Sequence, residues 1–154
     1  MAQSSPPLDD PRWIVEFAAC LIGQGQVVGL SDTQLRSLSP LALAYLGDAV
    51  YELFVRSCYL TPPQRIRGYH QAVVDHVRAE QQAHYLQLLT PYLTDDEADI
   101  VRRSRNAVSG RKPRASLQDY QQATGLEALV GYLYLKNPER LVEMLGYLPL
   151  SQGD

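Results

Sequence analysis

The sequence predicts an all-α fold, and three observations support this class. No stretch shows the alternation of apolar and polar residues that is typical of a strand. Helix-start signals recur at Ser39-Pro40, at Thr94–Glu97 and at Asn137-Pro138. Prolines and glycines separate the apolar runs. The chain has 154 residues, 45% of them apolar, which fits one domain with a well-formed core.

The first two predicted helices are bounded by proline. Ser39 as N-cap and Pro40 at the first helical position begin a helix that runs to about Tyr59, and Pro62-Pro63 ends it. A second helix is expected from His70 to Leu89, because its apolar positions fit a 3.6-residue period loosely and Pro91 follows.

Three further helices follow. A capping box begins the third at Thr94, its acidic residues 95–97 suit the positive end of the helix dipole, and it ends between Asn106 and Gly110. After a loop with glycine and proline, the fourth runs from about Leu117 to Leu135. Asn137-Pro138 caps the fifth, which fades at residues 146–149.

Residues 1–34 read as a separate N-terminal segment: a polar tail, a short apolar stretch and a glycine-spaced linker. The tail lacks the features of a signal peptide, and no apolar run approaches the roughly 20 residues that span a bilayer. The two cysteines are too few for a disulfide scaffold. A soluble, cytoplasmic protein with no membrane partner is expected.

The first predicted helix carries a carboxylate without a local cation. Its sequence LALAYLGDAVYELFV is apolar on nearly every side, so the helix is expected to be buried. Glu52 has Arg56 four residues later, the favourable order for a helical ion pair. Asp48 has no basic neighbour on its helix and faces the like charge of Glu52. Asp48 therefore needs compensation from a metal ion, a distant arginine or backbone donors.

The fourth predicted helix repeats this pattern at Glu127, which stands alone in the apolar run 123–135. If the two helices pack together, Asp48 and Glu127 can converge and hold a hard cation such as Mg²⁺. The alternative is that each acid binds a tertiary arginine. Gly47 and Gly131 indicate a close backbone approach, by another helix or by a ligand.

A basic segment covers residues 101–115, VRRSRNAVSGRKPRA. It holds six cations and no acid, so the net charge of −3 hides a charge of −9 on the rest of the chain. An Arg-rich segment suits forked contacts to phosphates. Pairing with Asp95, Asp96 and Asp99 is the alternative for the first two arginines only. The predicted RNA-binding residues are Arg102, Arg103, Arg105, Arg111, Lys112 and Arg114.

These motifs together resemble a known family. LALAYLGDAVYELFVR (41–56) is similar to the signature helix of ribonuclease III domains, and ATGLEALVGYLYL (123–135) resembles their second acidic motif. RRSRNAVSG with its basic continuation resembles mini-ribonuclease III, the short bacterial form without a double-stranded-RNA-binding domain. The likeness covers about residues 35–148, and residues 35–150 are taken as the catalytic domain.

The resemblance implies an all-α ribonuclease III endonuclease domain, a helical bundle that forms a two-fold homodimer. Each protomer would carry one Mg²⁺-dependent site that cuts one strand of double-stranded RNA and leaves 5′-phosphate ends. The mini form matures the ends of 23S ribosomal RNA precursors, which makes an rRNA precursor stem the implied substrate.

Carried over by position, Asp48 and Glu127 match the two motif carboxylates and are the implied catalytic residues and metal ligands. Two further family acids fall on Ala44 and Thr124, as in the mini form, so the number of metal ions stays open. Thr124 could orient a bound water.

Two other functions remain possible from the residues alone. A non-catalytic helical RNA-binding or ribosome-assembly module needs only the basic segment and would leave Asp48 and Glu127 as structural acids. A helical hydrolase of small phosphoesters fits less well, because the chain has no His/Asp metal cluster of the usual order.

Overall fold

The computed structural model describes residues 30–109 and 116–150, and within these ranges the chain is helical and contains no strand. The all-α prediction is confirmed. No helix in this part of the chain is long and apolar enough to cross a membrane. A 3₁₀ turn spans Thr90–Tyr92, and the α-helices are α1 (Asp32–Ser37), α2 (Pro40–Cys58), α3 (Ile66–Val77), α4 (Ala79–Leu89), α5 (Asp95–Ala107), α6 (Leu117–Lys136) and α7 (Pro138–Gly146).

Helix α6 forms the centre of the bundle. It packs along its length against α2, α4 and α5, and near its ends it contacts α1 and α7. From Ala123 to Leu133 every residue except Glu127 is buried. An all-round apolar helix is stable only when other helices cover it. The fourth predicted helix is therefore the core helix of the domain.

Helix α2 is not buried on all sides, which contradicts the expectation from its apolar sequence. Leu43, Tyr51 and Val55 face the core. The opposite face is apolar but exposed: Leu41 is 46%, Tyr45 85% and Leu53 50% accessible. Positions four residues apart form one stripe along a helix, so these side chains form a continuous apolar surface on the single chain.

The prediction of one helix from His70 to Leu89 is wrong, because Arg78 interrupts it. Its φ of −66° and ψ of 151° are extended backbone, so α3 ends at Val77 and α4 begins at Ala79. No proline or glycine marks this break in the sequence. The sequence analysis also did not predict α1, whose Leu35 is buried.

Helices α5 and α7 are joined by a buried ion pair. The capping box is confirmed: Thr94 Oγ1 accepts from the Glu97 N–H at 3.3 Å, and the Glu97 carboxylate accepts from the Thr94 N–H at 2.9 Å. Arg140 Nε donates to Glu97 at 2.9 Å, and its guanidinium also donates to the Tyr92 carbonyl at 2.6 Å. Burial alone would raise the pKa of Glu97, but the contacts with Arg140 and Thr94 hold it below its ordinary value.

Candidate active site

Two glycines bring the backbones of α2 and α6 into direct contact. A Cβ at Gly47 would lie 1.6 Å from the Glu127 carbonyl oxygen, and a Cβ at Gly131 would lie 2.1 Å from the Leu43 carbonyl oxygen. Neither position can therefore carry a side chain. The sequence left open whether these glycines allow the approach of another helix or of a ligand, and the structure shows the approach of another helix. The crossing also sets the position of Asp48, which follows Gly47, opposite Glu127.

The two carboxyl groups meet at this crossing, as the sequence predicts if the helices pack together. Burial and then the negative charge of Asp48 raise the pKa of Glu127 to about 8. Partial burial and the charge of Glu52 raise the pKa of Asp48, while a hydrogen bond from the Glu127 carboxyl group lowers it. At neutral pH the pair therefore shares a proton, with Glu127 donating to Asp48.

No basic side chain of residues 30–109 or 116–150 forms an ion pair with Asp48 or Glu127. The alternative of a tertiary arginine is thus not observed there. Asp48 is exposed and Glu127 half-buried, so the expectation of two buried acids is too strong. Glu52 makes the predicted ion pair with Arg56 at 3.0 Å.

The donor set of this site suits a hard cation. Carboxylate oxygens are the ligands that Mg²⁺ prefers, and Mg²⁺ is usually bound through one or two carboxylates with several waters retained. No group of three or more His, Cys, Asp or Glu residues suited to a metal occurs in the described part of the chain, so two carboxylates are what it offers. Ala44 is buried. Thr124 donates its hydroxyl to the Tyr120 carbonyl at 2.9 Å, which leaves the lone pairs of its oxygen free to accept a hydrogen bond.

Sequence reasoning missed Gln82, which lies on α4 beside the pair. Its side chain is 2% exposed and donates from Nε2 to the Val77 carbonyl at 2.8 Å. The Gln82 amide partly offsets the rise in the pKa of Glu127 that burial and Asp48 cause. The residue offered no signal, because a glutamine in a helix predicted to continue through Arg78 is read as part of a polar surface.

The basic segment lies at the end of α5 and beyond it. Arg102 is exposed and pairs with Asp99, as the alternative for this residue anticipated. Arg103 is half-buried and Arg105 exposed, and the Arg105 stem packs near Gly125 of α6. The structure does not bring these three arginines into contact with the carboxyl pair. Arg111, Lys112 and Arg114 lie outside the described residues.

Comparison with known proteins identifies the fold and the chemistry together. A family model described as "Ribonuclease III domain" matches residues 41–138, a range that contains both carboxylates and both glycines of the crossing. The chain belongs to the ribonuclease III family. As a ribonuclease III it is an endoribonuclease, and enzymes of this family act on double-stranded RNA. The comparison thus favours an enzyme over the non-catalytic module and over the small-phosphoester hydrolase.

The chain is similar to curated proteins named "Mini-ribonuclease 3". It is 57% identical to one from Synechocystis sp. over 119 residues, 77% of this chain and 83% of the relative. It is 57% identical to another from Thermosynechococcus vestitus over 111 residues, 72% of this chain and 74% of the relative. A crystal structure of a Fusobacterium nucleatum protein superimposes with a TM-score of 0.68 at 30% identity, covering 72% of this chain and 93% of that one.

Proposed function

We propose that this ribonuclease III is Mg²⁺-dependent and that Asp48 and Glu127 are its catalytic residues and metal ligands. The observation that carries the proposal is the meeting of the two carboxyl groups at the α2–α6 crossing without a basic partner in the described part of the chain. Such a pair is unfavourable unless a proton or a cation neutralises it. A bound Mg²⁺ supplies a Lewis acid for the scissile phosphate and lowers the pKa of a coordinated water.

The chain's own residues prepare this site in two ways. The close packing of Gly47 and Gly131 fixes the two backbones that carry the carboxyl groups, so little reorganisation is needed when substrate binds. Glu127 holds a proton near neutral pH, and a divalent cation that binds the carboxyl pair can displace this proton. Gly47 and Gly131 are therefore part of the site, although they contribute no side chain.

We further propose that the enzyme is a homodimer that buries the apolar stripe of α2. The exposed stripe of Leu41, Tyr45 and Leu53 is the kind of surface that soluble proteins cover by association. Asp48 lies on the same helix, so a two-fold axis through this face would place two catalytic sites near one duplex, one for each strand. Each site would leave a 5′-phosphate and a 3′-hydroxyl end.

Phosphate contacts are assigned to the basic segment, Arg102, Arg103, Arg105, Arg111, Lys112 and Arg114. Of these, Arg102 and Arg105 are exposed in the structure. A-form RNA is recognised mainly by shape and 2′-hydroxyl groups, so sequence preference should be modest. The proposed natural substrate is a stem of the 23S ribosomal RNA precursor, cut in the cytoplasm by a catalytic domain that spans residues 35–150. This proposal is supported by the resemblance to the mini form.

The test is cleavage of a perfect RNA duplex by wild type, Asp48→Asn and Glu127→Gln, each with Mg²⁺ or EDTA. Glu52→Gln is the matched control, since Glu52 lies one turn from Asp48 but is paired with Arg56. Cutting should require Mg²⁺, fail in both site variants and persist in the control. Full activity of either site variant would overturn the assignment. A precursor stem cut no better than an unrelated duplex of equal length would argue against the rRNA substrate.

A further inference from the structure

Helix α3 has little hydrophobic anchorage in the domain. It is 12 residues long, and Val73 is its one buried residue. An element with so little buried apolar surface is among the first parts of a domain to open. Polar contacts therefore matter for its attachment, and three tyrosine hydroxyl groups converge on His76 in its last turn: those of Tyr51, Tyr59 and Tyr85.

The imidazole ring of His76 is hydrogen-bonded at both nitrogens. Nε2 lies 2.6 Å from the hydroxyl of Tyr59, the C-cap residue of α2, and Nδ1 is bonded to the hydroxyl of Tyr85 on α4. The ring is stacked with both partners, with centroids 4.9 Å from Tyr59 and 6.0 Å from Tyr85. The His76 carbonyl accepts from the Tyr51 hydroxyl of α2 at 2.8 Å. One side chain therefore joins α2, α3 and α4.

The number of protons in this cluster determines which tyrosine donates. A neutral imidazole has one N–H group and one acceptor nitrogen, so one tyrosine donates to His76 and the other accepts from it. Tyr85 is 1% exposed and Tyr59 is 8% exposed. The side chain of Gln81 lowers the pKa of Tyr85, as a donor to the phenol oxygen does. Tyr85 therefore directs its own proton to Nδ1, and Nε2–H of His76 donates to Tyr59, which lies nearer the surface.

Protonation of His76 would break this arrangement. An imidazolium donates from both nitrogens, so Tyr85 would have to accept from Nδ1–H. The hydroxyl hydrogen of Tyr85 would then lose its acceptor in the core, and an unsatisfied buried donor is costly. Neutral His76 is therefore the form that fits between the three helices.

The charged groups around the ring act in opposite directions. Burial lowers the pKa of His76, Asp75 of α3 raises it, Arg78 at the start of α4 lowers it, and the result is below the ordinary value. Burial raises the pKa of Tyr59 to about 12 and also raises that of Tyr85, so both tyrosines stay neutral. The unfolded chain thus binds more protons at this histidine, and the stability that neutral His76 contributes is lost as the pH falls below 6.5.

We propose that His76, Tyr59 and Tyr85 form a proton-sensitive clasp, in which neutral His76 holds the end of α3 against α2 and α4 and protonated His76 releases it. This inference does not depend on the function of the carboxyl pair. Because α3 buries so little surface, release should loosen α3 before the rest of the domain. Helix α2 also carries Asp48, so the clasp ties α3 to the helix of the candidate active site.

An NMR titration of the histidine side chains tests the hydrogen-bond directions. Wild type, Tyr85→Phe and Tyr59→Phe are compared in EDTA, and the exposed His70 and His84 give reference titrations in the same spectra. Neutral His76 should carry its proton on Nε2 and titrate below pH 6.5. Tyr85→Phe removes the donor to Nδ1 and should raise the midpoint, whereas Tyr59→Phe removes an acceptor and should not. A proton on Nδ1, a wild-type midpoint at or above 6.5, or a midpoint unchanged in Tyr85→Phe overturns the proposal.

Amide hydrogen exchange tests whether α3 is released. Protection, corrected for the intrinsic exchange rate, is compared at pH 7.5 and pH 5.5 in EDTA. Since pH 5.5 is one unit below the ordinary pKa of histidine, α3 should lose protection severalfold and by at most about tenfold. Helix α7, which contains no histidine, should change by less than about twofold. An equal change in α3 and α7, or no change in α3, contradicts the clasp.

Two variants assign the effect to His76. In His76→Gln the amide keeps one donor and one acceptor but does not titrate, so protection of α3 should not depend on pH. The matched control is His84→Gln, an exposed histidine of α4, which should retain the wild-type dependence. If His76→Gln does not fold, Tyr85→Phe replaces it, and loss of protection should then begin at a higher pH than in wild type. Wild-type pH dependence in the variant used would overturn the proposal.

Discussion

Replacing Glu127 by glutamine should stabilise the metal-free protein at alkaline pH. Between pH 4.5 and about 8 the folded chain holds a proton on Glu127 that the unfolded chain has released, so stability falls as pH rises through this window. Glutamine mimics the protonated carboxyl group at every pH. It therefore removes a cost that is absent near pH 4 and complete above pH 8.

The size of this effect follows from the shift in the pKa. A change from 4.5 to about 8 corresponds to at most about 5 kcal/mol at 1.36 kcal/mol per pKa unit. Because Glu127 is only half-buried, solvent screening reduces the expected gain to roughly 2–3 kcal/mol. For a chain of this size that gain corresponds to a thermal midpoint roughly 5–10 °C higher at pH 9.

The assay is thermal unfolding of wild type and Glu127→Gln in EDTA at pH 5 and pH 9, at one protein concentration. The control is Glu80→Gln at an exposed glutamate of α4, which should change stability by no more than about 0.5 kcal/mol at either pH. An equal gain at pH 5 and pH 9 would mean that packing, not charge, is responsible. No gain at pH 9 would refute the reasoning about the pair.

Three further predictions concern packing and assembly. Arg140→Met should lower the free energy of unfolding by about 3–5 kcal/mol, because Glu97 then remains buried without its partner. Urea unfolding measures this loss, and a loss below about 1 kcal/mol would contradict the prediction. Gly47→Ala should separate α2 from α6 and abolish cleavage of an RNA duplex. The control Gly146→Ala should stay active, because a Cβ at Gly146 would have no atom within 4 Å. An active Gly47→Ala would show that the close crossing is dispensable. Tyr45→Glu should give a folded monomer of 17.2 kDa by light scattering, and a persistent dimer would place the interface elsewhere.

Local signals predicted most helix starts correctly. The capping box of α5 and the asparagine cap of α7 satisfy orphan N–H groups from residues a few positions away. At the start of α2, Ser39 makes no side-chain cap bond, and Pro40 instead removes one N–H group from the first turn. The break at Arg78 could not be predicted in this way. The carbonyls at the end of α3 accept hydrogen bonds from Gln82, five residues along the chain, and from Tyr51 of α2, which is 25 residues away from its partner.

The carboxyl pair could be predicted from the sequence, because charged residues are rare in apolar helices and Asp48 and Glu127 have no cation nearby on their own helices. The exposure of one face of α2 could not be predicted from the sequence. An apolar surface that packs on a core and one that packs on a second chain have the same composition. The Glu97–Arg140 pair was missed because its partners are 43 residues apart, and sequence periodicity reports only neighbours on one helix.

The central claim, that Asp48 and Glu127 act as one catalytic centre, is tested most directly by a double-variant cycle. Single-turnover cleavage of an RNA duplex in Mg²⁺ is measured for Asp48→Asn, Glu127→Gln and the combination. Groups that act as a unit are strongly non-additive, so each single variant should lose more than about 100-fold and the double variant should be at most about threefold slower than the slower single variant. Losses that multiply in the double variant, or a single variant with near wild-type cleavage, would contradict a shared centre.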